Sequence, residues 1–274
     1  MSAILGAALF ALGWGGINRE IGSFERIAAA DIAQLLEGDD KSVVVKTKLN
    51  GPFGGVFADL YEGRIIAKNF TTKGLPLFAD ATYQRTGFIR FLEIELSNFS
   101  MNGLHIESLS SSIPNCWFDR DLAIKKKQIR LSKSGVGTGA VVITQEALQE
   151  YIPLTVPEIK RCTVRLEKNK VWVEGFGEFL IAKTEFWLVA DLVPVDLYKL
   201  ELRNARVNFG WKRVDGIAAK TLLDALNPVV DLQKNLGLFD TFAVTKITTK
   251  DGKLQAEGIT RIPDIAQKKK PTKP

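Results

Sequence analysis

The chain has 274 residues, of which 46% are hydrophobic and 25% are charged. This is ordinary for a soluble globular protein, and the length suffices for one large domain or two small ones with a buried core. A net charge of +6 and a pI near 9.2 favour anionic partners, either nucleic acid or an anionic membrane surface. The two cysteines, Cys116 and Cys162, are spaced in a way that excludes a zinc site built from cysteines alone. The sequence leaves open whether they form a disulfide or stay as free thiols.

The N-terminal segment 1–22 is apolar and has no charge before Arg19. Its apolar stretch from Ala3 to Trp14 has the length of a signal-peptide core and is too short to span a bilayer as a helix. Three interpretations stay open: a partial signal peptide, an uncleaved membrane-surface anchor, and an ordinary buried helix. We expect an exported or periplasmic protein that is held at the membrane through residues 1–16.

Apolar spacing predicts a helix from Ser23 to Glu37, since its apolar residues share one stripe and Gly38 follows. Strand patterns come next. FLEIELSNF (91–99) alternates apolar and acidic residues, and GLHIESL (103–109) follows a Met-Asn-Gly turn, so the two segments predict a hairpin.

The segment IRLSKSGVGTGAVVITQEALQEYI (129–152) combines a glycine-rich turn, a short strand and a helix. We expect Gly135, Gly137 and Gly139 to form the turn, with the strand running from Ala140 to Ile143. Thr144 is the predicted helix cap and Pro153 the predicted helix end. A P-loop would need Lys and then Ser or Thr after the last glycine, and Ala140-Val141 stands there instead.

The second half of the chain shows similar strand, turn and helix patterns. Cys162, Val164 and Leu166 alternate with polar residues, as in a half-buried strand. A third helix is predicted from Asp215 or Gly216 to the residue before Asn227-Pro228. The expected turns lie at Lys168-Asn169 and, as the strongest hairpin signal, at Lys250-Asp251-Gly252-Lys253.

The order of these elements predicts an α+β fold. Few helices must cover a large area of sheet, so we expect a curved antiparallel β-sheet wrapped around one or more helices, which encloses an elongated apolar channel. We divide the chain into the apolar segment 1–22, a single domain at 23–265 and a basic disordered tail at 266–274.

Several stretches together resemble the LmeA-like phospholipid-binding family of bacteria. They are the segment 129–152, SVVVKTKLNGPFGGVFADLYEGRI (42–65), IPNCWFDRDLAIKKKQIRLSKSGVGTG (113–139) and ALNPVVDL (225–232). The resemblance covers roughly residues 24–263, and the order and spacing of the motifs carry it. It implies a lipid-transfer (TULIP-like) architecture and a non-enzymatic phospholipid-binding protein of the cell envelope, without a cofactor or a metal. The expected partners are phospholipid and an anionic membrane surface, not nucleic acid.

Two sets of residues are candidates for lipid contact. Apolar strand positions are the candidate channel wall: Leu92, Ile94, Leu96, Val164, Leu166, Val207 and Phe209. The densest basic patch in the body of the chain supplies the candidate headgroup contacts, Lys125, Lys127 and Arg130. If residues 125–127 form a strand, Lys125 and Lys127 share one face. The alternative for this patch is a solvated strand edge that prevents unwanted pairing.

Two rival functions remain. One is an envelope interaction module with a filled core and no lipid. The other is a lipid hydrolase or transferase, which would need a nucleophile and a base around His105 or around Asp119 and Asp121 on one strand face. We expect His105 to be a plain sheet residue and the aspartates to compensate the neighbouring basic charges.

Overall fold

The computed structural model describes residues 21–51, 59–74, 85–179, 182–210, 212–214, 216–238 and 241–262. The segments 1–20 and 263–274 therefore lie outside the described residues, and with them the predicted anchor and tail. The described helices are α1 (21–34), α2 (Arg120–Lys126), α3 (Gln145–Thr155) and α4 (Ile217–Leu226). Most other residues belong to strands, so the fold is α+β, as predicted.

The strands form two sheets. Sheet A has eight strands in the order β1-β2-β3-β4-β6-β14-β13, with β5 beside β4. These strands are β1 (Ser42–Leu49), β2 (Asp59–Thr72), β3 (Gly87–Met101), β4 (Leu104–Phe118), β5 (Leu131–Lys133), β6 (Gly137–Thr144), β13 (Phe242–Lys250) and β14 (Lys253–Thr260). Sheet B has six strands in the order β11-β10-β9-β8-β7, with β12 beside β10. They are β7 (Ile159–Glu167), β8 (Lys170–Phe179), β9 (Ala182–Val195), β10 (Lys199–Phe209), β11 (Lys212–Val214) and β12 (Val230–Asp231).

Among the described residues, strand pairing is antiparallel with one exception. β2 and β3 run parallel, with Asp59 opposite Phe88 and Thr72 opposite Met101. A parallel pair needs a long crossover, and the connection from 73 to 86 supplies one. The expectation of a fully antiparallel sheet therefore fails at this pair and holds for the rest of sheet A.

Sheet A curls into a half-barrel, and asparagines bend its long strands. Asn69 in β2 and Asn98 in β3 have φ values of 57° and 51°, and the Asn98 Nδ2 atom donates to Asn69 Oδ1 at 2.7 Å. Asparagine tolerates this left-handed conformation better than most residues. Each bend shifts the alternation of buried and exposed residues by one position. In β2 the buried residues Ala67 and Phe70 are three positions apart, and the two residues between them, Lys68 and Asn69, are exposed.

Several predicted elements are confirmed. α1 (21–34) covers most of the expected helix at 23–37 and ends three residues earlier, and β3 and β4 form the expected hairpin. Thr144 caps α3, since the Ala147 N–H donates to Thr144 Oγ1 at 3.2 Å. The turns at Lys168-Asn169 and Asp251-Gly252 connect β7 to β8 and β13 to β14.

The predicted end of α3 was wrong. The helix continues through Pro153 instead of ending at Ile152. Proline has no N–H to donate to the carbonyl four residues earlier, which is that of Gln149. The Cys162 thiol of β7 donates to this carbonyl instead, with 3.6 Å between Sγ and oxygen. A partner from sheet B thus accommodates the proline inside the helix.

The two sheets share one apolar core. α3 packs between β4 of sheet A and β7 of sheet B, with Leu148, Tyr151 and Ile152 buried. The edge strand β13 bonds to two turns of sheet B: the Asn169 N–H donates to Thr249 O at 2.9 Å, and the Val244 N–H to Leu197 O at 2.8 Å. Buried apolar residues of both sheets form a single cluster.

Candidate functional site

An apolar cavity lies inside the half-barrel of sheet A. Its volume is about 40 Å³. Side chains of β3 and β4 form one wall, with Ile94, Leu96, Leu109 and Ile113 as the apolar contributors. Small-molecule sites usually have volumes of about 300–1,000 Å³, so in this conformation the cavity is too small for an acyl chain.

Glycines of β6 allow the sheet to curl tightly beside this cavity. A Cβ atom at Gly137 would lie 2.1 Å from Ser112 O, and one at Gly139 would lie 2.6 Å from Thr260 Cγ2. Neither glycine belongs to a turn, because β6 begins at Gly137. The predicted glycine-rich turn was therefore wrong at these two positions. Glycine is required at these positions because the neighbouring strands approach too closely for a Cβ atom, and not because the backbone has a positive φ.

The far wall of the cavity comes from the C-terminal part of the chain. Leu238, Phe242 and Ile262 face the strand residues, and Leu238 belongs to a segment of turns at 232–238. The hydroxyl oxygen of Thr241, another lining residue, is buried and has no hydrogen-bond partner among the described residues. A buried hydroxyl without a hydrogen bond lowers the stability of the fold. A polar ligand atom that formed a hydrogen bond with it would remove this cost.

A second and smaller cavity lies in sheet B. It has a volume of about 10 Å³ between α3, α4 and the sheet, and Leu148, Val164, Leu202 and Leu226 are among its lining residues. This space suffices for roughly one water molecule.

The candidate wall residues occur in both sheets. Leu92, Ile94 and Leu96 face the interior of sheet A, where Ile94 and Leu96 line the larger cavity. Val164 lines the smaller cavity, and Leu166 and Val207 are buried in the core of sheet B. Phe209 is partly buried and stacks on Phe179, with 5.9 Å between ring centroids.

The candidate headgroup residues are arranged differently from the expectation. The basic run lies in α2 and not in a strand, with Lys127 as the C-cap residue at φ 55°. Two of the three residues have acidic partners. Lys125 pairs with Asp121 at 2.9 Å, and Arg130 forms a largely buried pair with Asp31 of α1. The predicted shared strand face of Lys125 and Lys127 was therefore wrong.

The candidate catalytic groups do not come together. Asp119 caps α2 by accepting from the Leu122 N–H at 3.0 Å, whereas Asp121 lies in the first turn and faces Lys125. Hydrogen bonding and charge from Lys125 lower the pKa of Asp121. His105 is half-buried on β4 opposite Ser100. Within the described ranges no three His, Cys, Asp or Glu side chains are grouped to hold a metal ion.

Sequence reasoning missed an aromatic surface on the outer side of sheet A. We define the aromatic face as Tyr61, Phe88, Phe91 and Trp117, which lie on the adjacent strands β2, β3 and β4. The ring centroids of Tyr61 and Phe91 are 5.6 Å apart, and those of Phe88 and Trp117 are 4.9 Å apart. A signal was present, because Phe91 and Leu92 are adjacent apolar residues that break the alternation of β3.

In the part of the chain that the structure describes, no helix is both long and apolar enough to span a bilayer. Both cysteines are free thiols, Cys116 in β4 of sheet A and Cys162 in β7 of sheet B. Comparisons with protein-family models, with curated proteins and with solved structures find no match for this chain.

Proposed function

We propose that this chain is a phospholipid-binding protein that takes an acyl chain into the half-barrel of sheet A. The observation that carries the proposal is the apolar cavity, whose far wall combines a segment of turns with Phe242 and Thr260 of the paired strands β13 and β14. Backbone pairing holds β3 and β4 in place along their length. The segment 232–238 is held by turn bonds and has no ladder pairing to β3 or β4, but Leu232, Leu236 and Leu238 are buried in the core. Opening this wall therefore exposes apolar surface, which the acyl chain must cover again.

In this proposal the acyl chain displaces Leu238 from the inner face of the sheet. Each buried CH₂ group contributes about 0.8 kcal/mol, which offsets the loss of contacts made by the turn segment. The unpaired Thr241 hydroxyl would donate to an ester or phosphate oxygen near the head of the lipid. A lipid-transfer (TULIP-like) architecture and a place in the bacterial cell envelope belong to the same proposal.

Native mass spectrometry of protein purified without detergent, with lipid extraction of the same sample, tests this function. We expect co-purified phospholipid in near-stoichiometric amount. Ile94→Trp would fill the cavity and abolish the lipid-bound mass, whereas Ile247→Trp, at a partly buried position outside the cavity lining, would retain it. A lipid-free mass that is unchanged after incubation with anionic vesicles would contradict the proposal.

One observation favours a second function. The described core is nearly filled, as expected for an envelope interaction module that holds no lipid. The same experiment separates the two functions, because such a module would give only the lipid-free mass.

A further inference from the structure

We propose that the aromatic face docks onto the surface of an anionic phospholipid bilayer. This inference rests on the proposed function in taking phospholipid as the partner, and it adds where the protein meets the membrane. The aromatic face is exposed although it is apolar: the exposed fractions of Tyr61, Phe91 and Trp117 are 47%, 45% and 38%. Contiguous exposed apolar surface of this kind marks an interaction site.

The strand register places the four rings on one surface. Phe88 is directly opposite Trp117 in the β3–β4 pair, and Phe91 is opposite Pro114. Tyr61 reaches Phe91 from the neighbouring strand β2. Trp, Tyr and Phe at the rim of a protein suit the boundary between headgroups and acyl chains, because their rings are large and apolar while Trp and Tyr keep a polar atom for water.

Basic residues surround this surface. Lys133 of β5 is opposite Trp117. Lys48 of β1 and Arg90 of β3 pair with the β2 residues Glu62 and Asp59, at 2.5 Å and 3.7 Å. These two pairs cancel in charge, and Lys133 is balanced in number by Glu93, which lies two residues from Phe91 on β3 and accepts from Ser112 Oγ at 2.6 Å. The positive excess near the aromatic face therefore comes from the lysines of α2 and its C-cap.

α2 adds further positive charge at the same end of the sheet. The helix begins at Arg120, whose N–H donates to Thr86 Oγ1 at 3.0 Å, next to the start of β3. Lys126 and Lys127 lie about 10 Å further along the helix, given its rise of about 1.5 Å per residue. Among the described residues, no carboxylate pairs with Lys126, Lys127 or Lys133.

The lysines decide between a membrane and a protein as the occupant. Protein–protein interfaces are depleted in lysine, whereas lysines beside an apolar surface attract anionic headgroups. Rings that enter the headgroup region and lysines that stay among the phosphates act together, since one contribution depends on apolar area and the other on charge. The chemistry therefore fits an anionic bilayer.

Co-sedimentation with vesicles made of equal amounts of phosphatidylcholine and phosphatidylglycerol tests this docking. We expect the full chain to sediment with these vesicles and to release at high salt. Tyr61→Ser/Phe91→Ser would lower the partition coefficient roughly tenfold or more, because it removes apolar area that enters the bilayer. Leu154→Ser is the matched control, since Leu154 of α3 is 70% exposed and lies outside the aromatic face. It would leave the partition unchanged.

The charge is tested separately. Lys133→Glu would weaken binding to the mixed vesicles and leave the weak binding to pure phosphatidylcholine vesicles unchanged. Lys160→Glu, at an exposed position of β7 in sheet B, is the control and would have no effect on either kind of vesicle. Circular dichroism and the urea midpoint of each variant confirm that it is folded.

Three results would overturn the docking proposal. They are a wild-type chain that fails to sediment, aromatic variants that sediment like the wild type, and a wild type that dimerises through this surface without binding vesicles. Other results distinguish failure of this docking proposal from failure of the proposed acyl-chain binding. Sedimentation of a chain that carries no lipid in native mass spectra would support docking and contradict acyl-chain binding. Aromatic variants that fail to sediment but retain co-purified lipid would support both.

Discussion

At the scale of single residues, burial controls the chemistry of the two thiols. Desolvation raises the pKa of Cys116 to about 12 and that of Cys162 to about 11, from an ordinary value of 9.0. The thiolate is the reactive form, so its depletion makes both residues inert near neutral pH. The sequence left open whether these residues form a disulfide, and their location in different sheets could not be read from their spacing.

We predict that neither thiol reacts with a disulfide reagent at pH 8 while the protein is folded. The thiolate fraction is lowered roughly a thousandfold for Cys116 and a hundredfold for Cys162 relative to the ordinary pKa. Both would react quickly in urea, and a Cys162→Ser variant identifies which one reacts first. Because the folded pKa values are raised, this contribution to stability is present below pH 9 and is lost as pH rises above it. A fast-reacting thiol in the native protein would contradict the burial of these groups.

A second residue-scale prediction concerns the glycines of β6. Gly137→Ala would place a Cβ atom 2.1 Å from Ser112 O, so the strands must separate. We expect the free energy of unfolding to fall by about 2–4 kcal/mol, measured by urea denaturation. Gly22→Ala makes the same chemical change in α1, where nothing lies within 4 Å. It is expected to stabilise by about 0.5–1 kcal/mol, so equal effects of the two substitutions would show that strand spacing is not the cause.

At the scale of elements, asparagine determines where the strands of sheet A bend. Asn98→Val would force a β-branched residue into the left-handed region and remove the bond to Asn69. We expect a loss of about 2 kcal/mol in the free energy of unfolding. Asn98→Gly tolerates the backbone conformation, and it would recover part of this loss. Equal losses for the valine and glycine variants would indicate that the side-chain bond, and not the bend, is what matters.

The sequence predicts these elements better than it predicts their arrangement. Local signals identified α1, the Thr144 cap and the Asp251-Gly252 turn, because each depends on a few neighbouring residues. The parallel pairing of β2 with β3 and the course of α3 through Pro153 depend on partners distant in the chain, here the crossover and Cys162. Only part of the cavity lining was predicted. Ile94 and Leu96 follow from the alternation of apolar and acidic residues in β3, whereas Leu238 belongs to a turn segment that has no such periodicity.

At the scale of the whole molecule, α3 makes the two sheets depend on each other. Its residue Tyr151 is 1% exposed and belongs to the core shared by both sheets. Hydrogen bonds at the β13 edge add backbone contacts between the sheets. Sheets connected by a common core and by edge bonds should unfold in one transition.

We predict that Tyr151→Ala destabilises both sheets equally. Removing this large buried side chain leaves a cavity and costs about 3–5 kcal/mol in the free energy of unfolding. Fluorescence of variants that retain only Trp117 reports on sheet A, and variants that retain only Trp172 and Trp187 report on sheet B. The urea midpoints from the two probes would coincide in the parent and shift together in Tyr151→Ala.

The control lies on the same helix. Leu154→Ala removes a side chain that is 70% exposed, and it would change the free energy of unfolding by less than about 0.5 kcal/mol. If Tyr151→Ala moved only the sheet B midpoint, sheet A would be stable without α3. The half-barrel would then be an independent unit, and opening of the segment 232–238 would not be transmitted to sheet B. If the midpoints coincide, any ligand that binds only the folded half-barrel, such as the proposed acyl chain, would stabilise the whole chain and raise both midpoints by the same amount.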